Sequence, residues 1–207
     1  MRQINLRGIN FYTHDNEALS NHIHREKDFF EANILDYLRD NFKTQKTIID
    51  IGANIGNHTV YFANFLKYRM IVSFEPIPAN FEILVENVTP YPNICLVPYA
   101  LGDTFGTLPM CEYPPNMGAS HFDVNGDLEI PVYRLDSFIY KNITLLKIDV
   151  ESFEPQVLHG AEETINRCKP LILIEDWDKE YASLLPDYDC IQGWEREHTF
   201  LYKWRGK

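Results

Sequence analysis

The chain has 207 residues, 45% of them hydrophobic and 24% charged, which is ordinary for one globular domain with a full core. Its 19 basic and 30 acidic residues give a formal net charge of -11, which disfavours nucleic acid as a partner because such proteins must neutralise phosphates. No apolar run approaches ~20 residues and no signal-peptide core opens the chain, so we expect no membrane partner and a cytoplasmic location.

The segment before the first predicted sheet strand, residues 1–46, is predicted to be a helical cover for the rest of the chain. Its clearest pattern lies between Asp28 and Asp40. The apolar residues of this stretch recur at helical spacing: Phe29, Phe30, Ile34, Tyr37 and Leu38. We expect this cover and the remaining residues to form a single domain over residues 1–207, whose oligomeric state the sequence does not predict.

Strands and helices alternate after this cover. The predicted strands lie in KTIIDIGAN, MIVSFEP, NICLVPYALGD, ITLLKIDVE and PLILIEDWD, followed by two strands in CIQGWEREHTFLYKW. The predicted helices lie in NHTVYFANFLKY, ANFEILVENV and EPQVLHGAEETINR. This alternation predicts an α/β fold with a mainly parallel sheet that is covered by helices on both faces.

One insertion interrupts the alternation. Between residues 106 and 138, glycine and proline break the pattern, and an NGD turn at residues 125–127 separates two short alternating runs. This pattern is typical of a β-hairpin. We expect the insertion and the segment before Phe29 to cover a substrate.

Four predicted strands end in an acidic residue: Asp50, Glu75, Asp149 and Glu175. The carboxyl ends of parallel strands meet at one edge of a sheet, and open α/β sheets bind their ligands there. The four carboxylates therefore predict a single polar crevice.

The turn after the first core strand has the sequence GANIG at residues 52–56. A dinucleotide fingerprint needs a glycine in the middle of this turn, where the backbone approaches a pyrophosphate, and Asn54 occupies that position. S-adenosylmethionine carries a sulfonium and an amino acid in place of phosphates, and a Gly-x-x-x-Gly turn suits it. Asp50, at the end of the strand, can lie near the sulfonium cation. Glu75 can accept hydrogen bonds from both ribose hydroxyls, although NAD sites use the same device.

Several segments of the chain resemble the FkbM family of S-adenosylmethionine-dependent methyltransferases. They are IIDIGANIGNHTVYFA, VSFEPIPANFEILVENV, ALGD and LLKIDVESFEPQVLHGAEETI. The resemblance implies a class I, Rossmann-like fold: seven strands, mainly parallel, with helices on both faces and an antiparallel C-terminal strand. It also implies methyl transfer to a hydroxyl, often on a sugar or a secondary metabolite. The chain departs from the family's KIDVEG motif at Ser152, where the family usually has glycine.

The resemblance also implies a cofactor site, residue by residue. Its members are Glu31, Asp50, Gly52, Ala53, Asn54, Gly56, Asn57, Thr59, Glu75, Pro76, Ala100, Leu101 and Asp149. In this arrangement Glu75 would hold the ribose, and Ala100 and Leu101 would lie near the adenine. Glu31 matches a family acid expected near the methionine amino group.

Methyl transfer to a sugar hydroxyl is expected to need a general base, because a protonated hydroxyl is a poor nucleophile. Asp149 is favoured because, with Glu151, it matches the family's motif at the methyl-transfer end. Glu175, at the end of the next parallel strand, and His121, in the insertion, are the other candidates.

Three alternatives stay open. Asp149, Glu175 and Asp176 could present hard oxygen ligands to Mg²⁺ or Ca²⁺, so a divalent metal is permitted by the spacing but not required or favoured. An NAD-dependent reductase is a second alternative, and Asn54 opposes it. A non-catalytic cofactor-binding protein is the third, and the intact acids at the strand ends oppose it.

Overall fold

Strands and helices alternate through residues 1–177 and 180–206, which are the residues that the computed structural model describes. The strands are β1 (Arg2–Leu6), β2 (Ile9–Thr13), β3 (Thr47–Ile51), β4 (Met70–Phe74), β5 (Ile94–Val97), β6 (Ala100–Leu101), β7 (Gly106–Cys111), β8 (His121–Phe122), β9 (Leu128–Tyr133), β10 (Ile143–Ile148), β11 (Leu171–Glu175), β12 (Tyr188–Trp194) and β13 (Thr199–Trp204). The helices are α1 (Ala18–Glu26), α2 (Ala32–Asn41), α3 (Asn57–Phe65), α4 (Pro78–Val88), α5 (Glu154–Gly160) and α6 (Glu162–Cys168). Short 3-10 helices lie at Met117–Ala119, Leu135–Ser137 and Tyr181–Leu184.

A seven-stranded sheet forms the centre of the molecule, in the order β12-β13-β11-β10-β3-β4-β5. The neighbours from β11 to β5 are parallel, whereas β13 runs antiparallel to both β11 and β12. The strand in the middle, β3, is buried along its whole length, as expected for a strand covered on both faces. These features confirm the predicted mainly parallel sheet with an antiparallel C-terminal strand.

Two apolar clusters pack on opposite faces of this sheet. Ile48 belongs to the cluster that α2, α3 and α4 cover, while its neighbour Ile49 belongs to the cluster under α5 and α6. Successive residues of a strand point to opposite faces, so an uninterrupted apolar run supplies both clusters. Within the described residues, no helix is both long and apolar enough to span a bilayer.

The insertion forms the predicted hairpin and extends it into a small second sheet. β7 pairs with β9 in antiparallel register, and β8 and β6 join them at the edges. The strand predicted over residues 93–103 is split, because β5 ends at Val97 and β6 joins the second sheet instead. Pro98 follows Val97 and has no N–H to donate to a ladder, which explains the break.

The N-terminal segment differs from its prediction. Two helices, α1 and α2, are present, but residues 2–13 form the antiparallel hairpin β1–β2 instead of helix. Arg7 and Gly8 connect its strands, and both have positive φ angles, of 51° and 92°. Such two-residue turns match the twist of a hairpin. The apolar residues on either side of the turn alternate, and this period of two was the overlooked signal.

Candidate active site

A cavity of about 540 Å³ opens at the edge where β3, β4, β10 and β11 end. The predicted site residues on its wall are Glu31, Gly52, Ala53, Asn54, Asn57, Glu75, Pro76, Ala100, Leu101, Asp149 and Glu175. Three of the four strand-end acids therefore face one space. The predicted residues that lie elsewhere are Asp50, Gly56, Thr59 and His121.

The glycine turn is fastened to the strands on both sides of it. The N–H groups of Gly52 and Ala53 both donate to the carbonyl of Phe74, at 3.0 and 2.9 Å. On the other side, a Cβ atom on Gly52 would lie 1.8 Å from the carbonyl oxygen of Asp149, and Gly52 has a φ of +75°. Only glycine fits this close approach. Asn54, in the middle of the turn, also adopts a left-handed conformation, with a φ of 50°.

Glu75 joins the turn to the loop after β4. Its Oε2 accepts a hydrogen bond from the N–H of Asn54 at 2.8 Å, and its Oε1 accepts one from the N–H of Ile77 at 2.9 Å. Burial raises the pKa of Glu75 to about 7. These two hydrogen bonds and a third from Asn80 lower the pKa, but burial has the larger effect. A carboxylate oxygen can accept more than one hydrogen bond, so Glu75 keeps acceptor capacity toward the cavity.

Three residues predicted to contact the cofactor, Asp50, Gly56 and Thr59, do not line the cavity. The Asp50 side chain is fully buried, and its Oδ2 accepts a hydrogen bond from Thr59 Oγ1 at 2.6 Å. Gly56 faces α4, where a Cβ atom would lie 2.8 Å from Leu84 Cδ1. In this structure these residues pack against the turn on the side away from the cavity.

A buried lysine that we did not single out from the sequence lies between the strand ends. Lys147 pairs with Asp50 in the register of β10 and β3, and its Nζ lies 3.5 Å from Asp50 Oδ1 and 3.2 Å from Asp149 Oδ2. It also donates to the carbonyl of Gly52 at 2.8 Å. Burial opposes its charge, but Asp149 and Asp50 together raise the pKa of Lys147 above its ordinary value. A single ammonium thus ties together the turn and the acids beside it.

Asp149, Glu151 and Glu175 crowd the wall beyond Lys147. Burial raises the pKa of Glu151 to about 7, with further contributions from Asp149 and Glu154. Burial and the neighbouring Asp149 also raise the pKa of Glu175 well above its usual range. Its Oε2 is buried and has no hydrogen-bond partner among the described residues. This end of the cavity therefore holds carboxylates that a ligand can still engage.

The loop after β10 keeps the shape that a glycine would favour. Glu151 and Ser152 both have left-handed conformations, with φ angles of 56° and 72°. Ser152 occupies the position where the KIDVEG motif has glycine. Non-glycine residues in this region carry backbone strain, which proteins hold mainly at functional sites. The Val150 N–H donates to Glu154 Oε1 at 2.8 Å and helps to hold this loop.

Two further candidates lie away from the cavity. The His121 side chain is exposed, whereas Ser120 and Phe122 on either side of it line the wall, as the alternation of a strand requires. Asp176 is buried, and its carboxylate accepts hydrogen bonds from the N–H groups of Glu180 and Tyr181, at 3.1 and 3.0 Å. It is therefore turned away from Asp149 and Glu175. The described residues contain no group of three or more side chains arranged to hold a metal ion.

Another part of the wall, next to Thr199, carries a further pair of ionisable groups. Glu31 Oε2 lies 3.1 Å from His58 Nε2, and both side chains are about nine-tenths buried. The sequence predicted a site role for Glu31 but none for His58, which follows the turn by two residues. Asn57 lies on the wall, but its side-chain amide binds the backbone of Phe30. Its role here is to position the loop that carries Glu31.

Comparisons with known proteins find similarity to methyltransferases. Residues 50–202 match the family model described as the methyltransferase FkbM domain. The chain is 23% identical to the methyltransferase SdnD of Sordaria araneosa over 73% of each chain. It is 25% identical to the 2-O-methyltransferase NoeI of Sinorhizobium fredii, over 70% of this chain and 69% of that protein. The crystal structure of methyltransferase FkbM from Methylobacillus flagellatus superposes with a TM-score of 0.60 at 21% identity. That match covers 78% of this chain but only 44% of the longer protein.

Proposed function

The chain belongs to the family of FkbM methyltransferase domains, and we propose that it transfers a methyl group from S-adenosylmethionine to a hydroxyl of a small molecule, a sugar or glycan. The observation that carries the proposal is the unit formed by the glycine turn and Glu75. This unit offers a buried carboxylate at the cavity wall, and Asn54 stands where a dinucleotide site needs glycine.

The order of the strands gives the cavity a direction. Glu75 follows β4, and Ala100 and Leu101 lie beyond it on the side of β5, whereas Asp149, Glu175 and Thr199 lie on the side of β10 to β13. Ala100 and Leu101 offer an apolar surface for an adenine, and Glu75 offers acceptors for ribose hydroxyls. The methionine end of S-adenosylmethionine then lies toward the acidic side of the cavity, where the carboxylates attract its sulfonium cation.

The residues at this acidic end fit the chemistry of transfer. When bound, S-adenosylmethionine supplies an electrophilic methyl group, which an acceptor oxygen takes while the sulfur keeps the bonding electrons. Asp149 accepts the proton of the acceptor hydroxyl at its carboxylate. Lys147, 3.2 Å from Asp149 Oδ2, fixes the orientation of that carboxylate. Glu175 and Glu151 lie beside it as acceptors for other hydroxyls of the substrate.

Aromatic faces at the same end support a sugar as the acceptor. The Trp177 ring is 59% exposed and stacks on His198 with 3.9 Å between ring centroids, and both residues line the cavity. Phe122 and Phe153 pack against each other on another part of the wall, with their centroids 4.5 Å apart. An aromatic face beside carboxylates provides one surface for the C–H groups of a sugar and acceptors for its hydroxyls. The O-methylation named for NoeI supports the same chemistry.

The cofactor and the acceptor are tested by separate measurements. We expect isothermal titration calorimetry to detect binding of S-adenosylhomocysteine and no binding of NADH, because Asn54 crowds a pyrophosphate. Tight binding of NADH without a response to S-adenosylhomocysteine would favour a reductase instead. The acceptor is then sought by measuring S-adenosylhomocysteine release from a panel of glycans and lipid-linked sugars. Turnover confined to acceptors without a hydroxyl would contradict O-methylation.

Ribose binding by Glu75 predicts a specific pH dependence. An ionised Glu75 accepts hydrogen bonds from both hydroxyls, and its pKa is raised to about 7, so protonation competes with binding as the pH falls. A change from pH 8 to pH 6 should therefore weaken binding of 5′-methylthioadenosine by about tenfold. At pH 6, one unit below the pKa, the protonated form of Glu75 outnumbers the ionised form by about tenfold. This ligand has the ribose but no amino acid, so only the nucleoside end is probed.

The matched control for this measurement is Glu75→Gln. The amide keeps the shape of the side chain but does not titrate, so its affinity for 5′-methylthioadenosine should not change between pH 8 and pH 6. A wild-type affinity that stays constant over this range, or an equal pH dependence in Glu75→Gln, would place the ribose elsewhere.

A further inference from the structure

The turn between β12 and β13 places a second permanent cation on the cavity wall. Arg196 lies in this turn, and its neighbours Glu197 and His198 line the cavity with it. The other lysine or arginine on the wall, among the described residues, is Lys147, which is buried and held by Asp149. Arg196 is exposed at the mouth of the cavity and has neither a hydrogen bond nor an ion pair with any described residue. Its guanidinium is therefore available to a ligand.

The residues that follow Arg196 fasten this turn to the rest of the site. The carbonyl of His198 accepts a hydrogen bond from the N–H of Asp176 at 2.7 Å, which ties the turn to the end of β11. Glu197 Oε1 accepts a hydrogen bond from Asn33 Nδ2 at 3.1 Å, which ties it to α2. The backbone that carries Arg196 is thus held at two points, and its side chain extends from a fixed position.

The wall further inside the cavity carries the opposite charge. Asp149, Glu151 and Glu175 all line it, at the end where the acceptor hydroxyl meets the base in the proposed function. Ionised carboxylates repel an anion from this inner wall, whereas Arg196 attracts one to the mouth. The charges therefore distinguish the two ends of an acceptor that carries a single oxyanion.

We infer that Arg196 selects an acidic sugar as the methyl acceptor, an inference that rests on the proposed function. The planar guanidinium presents two N–H groups that match two oxygens of a carboxylate or a phosphate. The sugar ring lies against Trp177, whose exposed ring stacks on His198 beside the same turn. The oxyanion stays at the mouth, and a hydroxyl of the same sugar points inward to Asp149. Arg196 thus determines which acceptor binds and in which orientation, and it takes no part in the transfer.

Acceptors that differ only in charge test this inference. Oligogalacturonides and their methyl esters carry the same hydroxyls, and glucuronides and their methyl esters form a second matched pair. Glucose 6-phosphate, compared with glucose, tests a phosphate in place of a carboxylate. We expect S-adenosylhomocysteine release to show a kcat/KM about tenfold or more higher for the charged member of at least one pair, the scale of a hydrogen bond between charged groups. This preference should fall as NaCl is added, because an exposed charge pair is screened by salt.

Arg196→Gln should reduce the preference to about twofold or less, mainly by raising KM for the charged acceptor. Arg196→Lys keeps the charge without the fork, so it should retain part of the preference. Arg205→Gln is the matched control, since Arg205 is an exposed arginine outside the cavity, and it should behave like the wild type. All three variants should bind S-adenosylhomocysteine with the wild-type affinity.

The possible failures are distinguishable. Equal kcat/KM within every pair for the wild type, or a preference that survives in Arg196→Gln, would overturn the inference. A protein that binds S-adenosylhomocysteine but turns over no member of any pair would also overturn it, without affecting the proposed cofactor. Weaker S-adenosylhomocysteine binding by Arg196→Gln would place the guanidinium at the cofactor instead. A wild type that does not bind S-adenosylhomocysteine would refute the proposed function itself.

Discussion

Asp149→Asn should lower the turnover number by about 10²–10⁴-fold on the acceptor that the wild type methylates, the range for loss of a general base. The amide keeps the size of the carboxylate but cannot take the proton of the acceptor hydroxyl. Cofactor affinity should change little, because in the proposed arrangement Glu75 holds the ribose and Asp149 faces the acceptor hydroxyl. The measurement is the rate of S-adenosylhomocysteine release, together with the dissociation constant of S-adenosylhomocysteine by calorimetry.

Glu175→Gln is the matched control, since Glu175 lies on the same wall at the end of the neighbouring strand. If Asp149 is the base, this variant should keep more of the turnover than Asp149→Asn. Full activity of Asp149→Asn would refute the assignment. A chelator should leave the wild-type rate unchanged, and complete inhibition that Mg²⁺ or Mn²⁺ reverses would indicate metal-assisted transfer instead.

Lys147→Met should lower the free energy of unfolding by about 3–5 kcal/mol, the cost of removing one partner of a buried ion pair. The Lys147 side chain is 4% exposed and that of Asp50 is 0% exposed, so the carboxylate would be left without its counter-charge and away from water. The lost hydrogen bond to the Gly52 carbonyl would also loosen the turn. Chemical denaturation followed by circular dichroism measures this loss.

Two further variants separate the buried charge from general effects of losing a lysine. Asp50→Asn combined with Lys147→Met removes both charges, so the double variant should be more stable than Lys147→Met alone. Arg205→Met breaks the pair between Arg205 and Asp189, whose side chains are 57% and 63% exposed. It should cost less than about 1 kcal/mol, the range for a surface pair. A Lys147→Met variant as stable as Arg205→Met would contradict the account.

The fold could be read from the sequence where local patterns and global topology agree. The apolar runs that end at Asp50, Glu75, Asp149 and Glu175 gave the parallel strands, because such runs are what a sheet covered on both faces requires. The hairpin β1–β2 was not predicted, since its alternation is short and was outweighed by the helical stripe that follows. The break at Pro98 shows that one residue without an N–H can move a strand into another sheet.

The site could be predicted in its chain positions but not in its contacts. The positions of the strand ends in the sequence predicted that the acids would meet, and three of them do lie on one wall. The direction of each side chain, however, depends on the register between strands. Asp50 aligns with Lys147 across that register and turns into the interior, so its charge meets an ammonium instead of a ligand. His58 could have been found only from its position next to the turn, because its partner Glu31 is 27 residues away in the sequence and belongs to another element.

The most direct test of the account is a crystal structure of the protein with S-adenosylhomocysteine. We expect the ligand to lie along the carboxyl edge of the sheet, with its ribose hydroxyls within hydrogen-bond distance of Glu75. Its adenine should contact Ala100 and Leu101, and its amino-acid end should lie toward β13. A ligand bound outside this cavity, or with its ribose at Asp149 and its amino acid at Glu75, would contradict the account.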